Sequence, residues 1–326
     1  AISTSSARAL AALSGGEPAA EGAGPKAVLS LAQALVASFA LEDDVYQSLV
    51  ACLERFGDAA DGDRERWEPF PPSVFEGSGD PSEPRVLKEL PDLCVLWKPP
   101  GWTVTVSDEL AAPEPRGSGA AAGLGRPLQD WVAAAMGGAR PIMRDAASQY
   151  GLVHRLDRET SGALVCATSR RGYHLAVLQF AARRTRKIYV CLCHGDLPPT
   201  RARLDAPLRF ARGADGVWRS WVEPSGKPAL TEVQGVGHVS VEGQALSLLR
   251  LRLHTGRQHQ IRAHLAGLGR PLVADALYRG GAAAGCPRCF LHAERLSLDA
   301  GSGCVDVACA LPADLGAALA AAAARS

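Results

Sequence analysis

The sequence predicts an α+β fold, a mainly antiparallel, mixed β-sheet flanked by helices and loops and preceded by a helical N-terminal extension. Two observations carry that reading. Apolar runs of strand length recur at 93–97, 163–167, 188–193, 228–236 and 245–253. Helical patterns at 170–184 and 258–268 fall among them in no strict β-α-β order, so successive strands are expected to pair through hairpins rather than through crossover helices. No repeat of fixed period is present.

The elements follow in order. The first 25 residues are rich in Ala, Ser and Gly without a sustained period, which predicts a flexible extension. From Lys26 to Phe56, Val28, Leu31, Leu35 and Phe39, then Val45, Leu49, Cys52, Leu53 and Phe56, recur at helical spacing and predict one or two helices. Residues 57–84 turn acidic and rich in Gly and Pro, as a linker or surface loop does. Residues 1–85 therefore read as an N-terminal extension and residues 86–326 as the compact domain. That domain opens near Val86, and its first apolar strand, Leu93 to Trp97, stops at Lys98-Pro99-Pro100-Gly101. Residues 111–126 read as a Gly/Ala/Pro loop.

Composition narrows the class. With 326 residues, 47% of them apolar, the chain can bury a substantial core. No apolar run reaches the ~18 residues of a membrane-spanning helix. The best candidate, Ala27 to Leu41, is interrupted by Ser30, Gln33 and Ser38. Nine cysteines at irregular positions do not make the framework of a small secreted scaffold, so a reducing compartment is expected. The chain begins at Ala1 rather than Met, which leaves room for a targeting segment, so cytoplasm, nucleus and organelle all fit. The net charge of +1 hides a division: residues 1–150 carry 12 Lys/Arg against 21 Asp/Glu, and residues 151–300 carry 22 against 11. A basic second half suits a polyanionic partner, although a solvated, Arg-rich surface has the same composition.

Two clusters carry chemistry. The first, Tyr150 to Gly162, crowds His154, Arg155, Asp157, Arg158 and Glu159 ahead of the apolar run 163–167, so reactive groups sit on a segment fixed by a buried strand. Arg155 and Arg158 beside Asp157 favour an ionised carboxylate, as a nucleophile or base requires. The plain alternative is a surface Asp-Arg turn. In the second cluster, Leu253 to Leu265, a strand feeds a Thr-Gly turn and then a short helix with Ile261, Leu265 and Leu268 on its inner face. Arg257 and the start of that helix suit an anion, and Arg262 can project beside the carboxylate. His254, His259 and His264 are five residues apart, which turns successive side chains by about 140° on a helix and argues against a shared metal. The lone pair Cys286-Pro287-Arg288-Cys289 has no second pair at finger-like spacing.

Over residues 86–315 the chain resembles the RluA-type RNA pseudouridine synthase family. The carrying motifs are His154-Arg-Leu-Asp157-Arg-Glu-Thr-Ser-Gly162, Arg186-Lys187-Ile188-Tyr189 and Thr255-Gly-Arg-Gln-His-Gln-Ile-Arg262-Ala-His-Leu265. Weaker agreement lies in Lys98-Pro-Pro-Gly101, Gly226 to Thr231, Gly269 to Tyr278 and Leu291-His292-Ala293. The resemblance implies the pseudouridine synthase fold and conversion of uridines in tRNA or rRNA to pseudouridine. It makes Asp157 the essential aspartate, Tyr189 the residue that stacks on the target base, Arg262 the partner of the aspartate, and Arg155 the arginine beside the displaced nucleotide. Ile261 and Leu265 supply an apolar wall, and His154, Arg158, Arg257, His259 and Gln260 join the substrate-binding set.

Elementary chemistry agrees, because the isomerisation changes no oxidation state and adds no group. A carboxylate, a cation to hold it and a dry pocket for the freed base suffice, so neither metal nor organic cofactor is expected. RNA is the expected partner, with no membrane and no obligatory protein partner, and a monomer is expected. Gln258 stands where the family usually has Ser or Thr, Ala263 where Val is common, and Ala274 where Gly is usual, none of them a charged catalytic group. The competing readings are a noncatalytic RNA-binding or ribosome-assembly protein retaining the fold, and a metal-dependent hydrolase using His254, His259, His264 and Asp275.

Overall fold

The computed structural model describes residues 24–37, 41, 43–61, 80–104, 126–138, 140–283, 285–299 and 303–324. In chain order the helices are α1 (Pro25–Ala37), α2 (Asp43–Asp61), α3 (Leu128–Ala135), α4 (Arg170–Ala181), α5 (Gln260–Gly267) and α6 (Ala313–Ala324). The first strands are β1 (Arg85–Glu89), β2 (Leu93–Lys98), β3 (Trp102–Thr103), β4 (Arg126–Pro127), β5 (Ser161–Ala167) and β6 (Arg186–His194). Then come β7 (Arg203–Leu204), β8 (Leu208–Arg212), β9 (Trp218–Val222), β10 (Thr231–Val241), β11 (Gln244–Leu253), β12 (Leu291–Asp299) and β13 (Cys304–Ala308). Among the described residues no helix is long and apolar enough to cross a membrane.

The nine-stranded sheet has the order β1-β2-β5-β12-β6-β11-β10-β7, with β13 also paired to β12. Every pairing in it is antiparallel except β5 with β12, where His292 faces Ser161 and Ala293 faces Gly162. Two antiparallel halves thus meet at a short parallel seam. Gly162 makes the seam possible: at φ +131°, it occupies a place where a Cβ would collide with the Ala293 carbonyl. His292, fully buried, braces the junction through Nδ1 to Ser161 Oγ at 3.1 Å and Nε2 to the Cys309 carbonyl at 3.1 Å. The inner strands β2 and β5 are buried along their whole length, which is why they read as continuous apolar runs rather than as alternating ones.

The helices of the extension have an apolar face each. Val28, Leu31 and Leu35 of α1 and Tyr46, Leu49 and Leu53 of α2 close around Leu175 and Leu178 of α4. Ion pairs fasten the contact, since Arg171 of α4 holds Glu54 and also Asp92 at 2.7 Å, and Arg184 holds Asp43 while lying 3.7 Å over the Tyr46 ring. The expected linker from Gly57 needs correction at its start. Helix α2 runs on to Asp61, and Gly57 lies where a side chain would strike the Arg171 backbone, so the glycine serves close helix packing instead of a turn. The remainder of that linker, the expected flexible segment at the N-terminus and most of the 111–126 loop lie outside the described residues.

Candidate active site

The site is built on the turn that leads into β5. Asp157 and Thr160 close that turn through the Thr160 amide and the Asp157 carbonyl at 3.0 Å. The next three carbonyls are each taken by a cation. Lys98, fully buried at the end of β2, gives Nζ to the carbonyls of Arg158 at 3.2 Å, Thr160 at 2.8 Å and Pro99 at 2.9 Å. Arg288 gives Nη1 to the Glu159 carbonyl at 2.8 Å. The Gly101 amide adds a bond to the Arg158 carbonyl at 2.9 Å. Burial pulls the Lys98 amine down to about 7, yet the three acceptors match the three donors of its ammonium form.

The charged centre is supplied by α5. Arg262, 9% exposed at its side chain, is gripped by Asp275 in a fork, Nε to Oδ2 at 2.7 Å and Nη2 to Oδ1 at 2.8 Å. Its remaining Nη1 donates to Asp157 Oδ2 at 3.2 Å. Burial works against the guanidinium's charge, and the hydrogen bonds and charges of Asp275 and Asp157 outweigh it and raise its pKa. Asp157 is the converse case. Burial would raise its carboxyl, but His259, Arg262 and Arg155 together hold it below the usual carboxylate range. An ionised carboxylate is therefore kept in a largely dry place, with a cation locked beside it.

Tyr189 lies on β6 between Leu251 of β11 and Ala293 of β12 and is 7% exposed. Burial and the neighbouring Asp157 charge push its phenol up, so it stays neutral. A second ring, Tyr278, lies with its centre 5.1 Å from the Arg262 guanidinium. Its hydroxyl bonds both backbone groups of Ser220, on β9, and His259 Nδ1 at 3.2 Å. Phe210 of β8 meets His259 edge-on. The β8–β9 hairpin, which the sequence reading did not identify, is thus tied to the start of α5, and it carries the exposed Arg209 and Arg212.

The structure brings Asp157, Arg262, Tyr189, Arg155 and His259 to one centre, while several other expected site residues have scaffold contacts. His154 accepts the Val165 amide on Nε2 at 2.9 Å and stacks on Phe180, and burial pulls it down to about 3, so the ring is neutral and braces β5. Gln260 is 3% exposed and uses its amide on Thr255, the Arg257 amide, Leu230 and Thr231, fixing the turn before α5. Arg257 reaches the Pro228 carbonyl at 3.0 Å, and Arg158 pairs with Glu159. Ile261 and Leu265 join the main apolar core. The histidines diverge, His254 to Glu232, His259 to Tyr278 and His264 to Thr231 and Ala206. No group of three or more His, Cys, Asp or Glu among the described residues is arranged to hold a metal ion.

Sequence reasoning passed over Asp275 as the partner of Arg262, and Lys98 and Arg288 as the holders of the turn. A guanidinium on the inner side of an apolar helix requires a buried counter-charge, and a lysine closing an apolar strand requires acceptors. Those needs are the signals that point to them. Ala274, in place of the usual Gly, keeps the bend before Asp275 by adopting φ +58°.

A family model described as RNA pseudouridylate synthase matches residues 92–267, more than half of the chain. An uncharacterized RNA pseudouridine synthase of Aquifex aeolicus is 39% identical over 128 residues, 39% of this chain and 39% of its own length. The dual-specificity RNA pseudouridine synthase RluA of Vibrio vulnificus is 34% identical over 150 residues, 46% of this chain and 57% of its own. The match thus spans well under two thirds of these relatives. The human RNA pseudouridylate synthase domain containing 1 superposes with a TM-score of 0.53 at 24% identity, over 76% of this chain and 87% of that one, which shows the shared fold. With the matched segment running from β2 through α5 and so enclosing Asp157, Tyr189 and Arg262, the chain belongs to the RNA pseudouridylate synthase family, in its RluA-type branch.

Proposed function

We propose that this protein isomerises specific uridines in tRNA or rRNA to pseudouridine, with Asp157 as nucleophile or base. The observation that carries the reading is the largely buried, ionised Asp157 held at 3.2 Å by an Arg262 that Asp275 locks in place. In the reaction the N1 to C1′ bond breaks, the uracil turns, C5 bonds to C1′, the C5 proton leaves and N1 gains one, so no oxidant or cofactor is consumed. Asp157 supports the change at the ribose or at the ring, and Arg262 keeps it charged and aimed. Tyr189 offers a neutral ring for the displaced base, and such stacking returns about 1–3 kcal/mol against the few kcal/mol that extruding a nucleotide costs. Arg155 serves beside the displaced nucleotide, and Arg158 and Arg257 join the substrate-binding set.

The test is incubation of the protein with uridine-containing RNA, without added metal or cofactor, followed by carbodiimide labelling and primer extension. New stops are expected with the unaltered protein and none with Asp157→Asn, which keeps volume and loses charge. Full turnover by Asp157→Asn would sink the role of Asp157. RNA binding with no stops on any RNA would favour a noncatalytic binding protein.

A further inference from the structure

The Cys286-Pro287-Arg288-Cys289 segment is a lone cysteine pair without a second at finger-like spacing; its cysteines are buried and its arginine is the residue that reaches the site. Arg288 is 8% exposed. It meets Asp314, in the first turn of α6, by Nε to Oδ2 at 2.7 Å and Nη2 to Oδ1 at 3.3 Å. From that anchor it donates to the Glu159 carbonyl at 2.8 Å and to Ser161 Oγ at 3.0 Å, so it holds the main chain before Thr160 and the side chain after it. Ser161 is also the residue that His292 holds across the parallel seam. The bracketing cysteines support this placement: Cys286 Sγ donates to the Arg288 carbonyl at 3.0 Å, and Cys289 lies near enough to Asp275 for that carboxylate, after burial, to raise its thiol.

We infer that Arg288 is a positioning residue: anchored on Asp314 of the C-terminal helix, it fixes the main chain of the 157–161 turn and so aligns the Asp157 carboxylate with Arg262. The inference rests on the isomerase reading for its kinetic consequence, while its structural half stands alone. A charge-assisted bond to a buried carbonyl resists local opening, and a catalytic group displaced by about 1 Å loses about 100-fold in rate.

The experiment compares the unaltered full chain with Arg288→Met and Asp314→Asn by amide hydrogen exchange and by steady-state isomerisation. In Arg288→Met, exchange in peptides covering 157–161 is expected to rise about tenfold, with β6 and β11 unchanged. The turnover number should fall about 100-fold with KM little changed. Unchanged exchange at 157–161 overturns the inference, as does a raised KM with turnover preserved, which would make Arg288 an RNA contact. If Arg288→Met loosens the whole sheet, Asp314→Asn decides, because it removes only the anchor: raised exchange confined to 157–161 supports the brace and unchanged exchange there refutes it. An unaltered protein inactive on every RNA would defeat the isomerase reading, and the exchange data would still judge Arg288.

Discussion

Arg262 and Arg288 are built alike and act on different parts of one turn. Each is buried, each is gripped in two hydrogen bonds by a single carboxylate, Asp275 or Asp314, and each has a remaining N–H for the segment 157–161. Arg262 spends it on the side chain of Asp157, and Arg288 on the main chain at Glu159. A guanidinium fork suits both tasks because one edge can be locked while the other points, which a lysine ammonium cannot do. The difference lies in what is lost on removal. Without Arg262 the charge of Asp157 is no longer balanced at close range, whereas without Arg288 the charge survives and its aim suffers.

Of the two arginines, the larger effect should therefore come from Arg262→Ala, which leaves Asp157 and Asp275 without their common partner. Turnover should drop by about 10²–10³-fold or more, with a smaller change in RNA affinity measured by filter binding. A loss confined to affinity would place Arg262 in RNA binding and erase the contrast with Arg288.

The pH profile sharpens the comparison next. Asp157 is held below the usual carboxylate range, so the acid limb of turnover should lie below that range, and the carboxylate's contribution to stability should persist above it and vanish as pH falls through the lowered value. Lys98, drawn down to about 7, can serve three carbonyls only as an ammonium. Turnover should then decline as pH rises through about 7, with exchange at 157–161 rising in step; Lys98→Met should abolish that limb and leave the acid one. An alkaline limb that survives the substitution would remove Lys98 from the account.

The smallest effect belongs to Ala274→Gly. Relieving a left-handed alanine should stabilise the fold by about 0.5–1 kcal/mol in thermal or urea unfolding, with turnover nearly unchanged, because the Asp275 fork keeps its geometry.

Much of this was legible in the sequence where residue type and spacing act locally. The apolar runs that became β2 and β5 are buried on both faces, those of β6 and β11 mostly on one, and the ion pair of Asp157 and Arg262 was named from its motifs. What was missed depends on chain-distant partners. The β8–β9 hairpin alternates Arg and aromatic residues on a half-exposed arm and has no apolar run to mark it. Strand β12 is recognisable only once β5 and β6 are there to pair with it, and β13 only once β12 is in place. His154 and Gln260, expected on the RNA side, also brace the scaffold through backbone atoms and threonine hydroxyls that no linear reading aligns.

The parallel seam has a consequence in time as well as in space. Ser161 and His292 are 131 positions apart, so the chain must close a very long loop to join β5 to β12, whereas the hairpins β1–β2 and β10–β11, one in each half, form from near neighbours. Each antiparallel half can mature before the two meet, and the turn bearing Asp157 receives its grip from Arg288 only at that meeting. In refolding, recovery of activity should trail the appearance of protected sheet amides: the chain acquires its architecture first and its competence last.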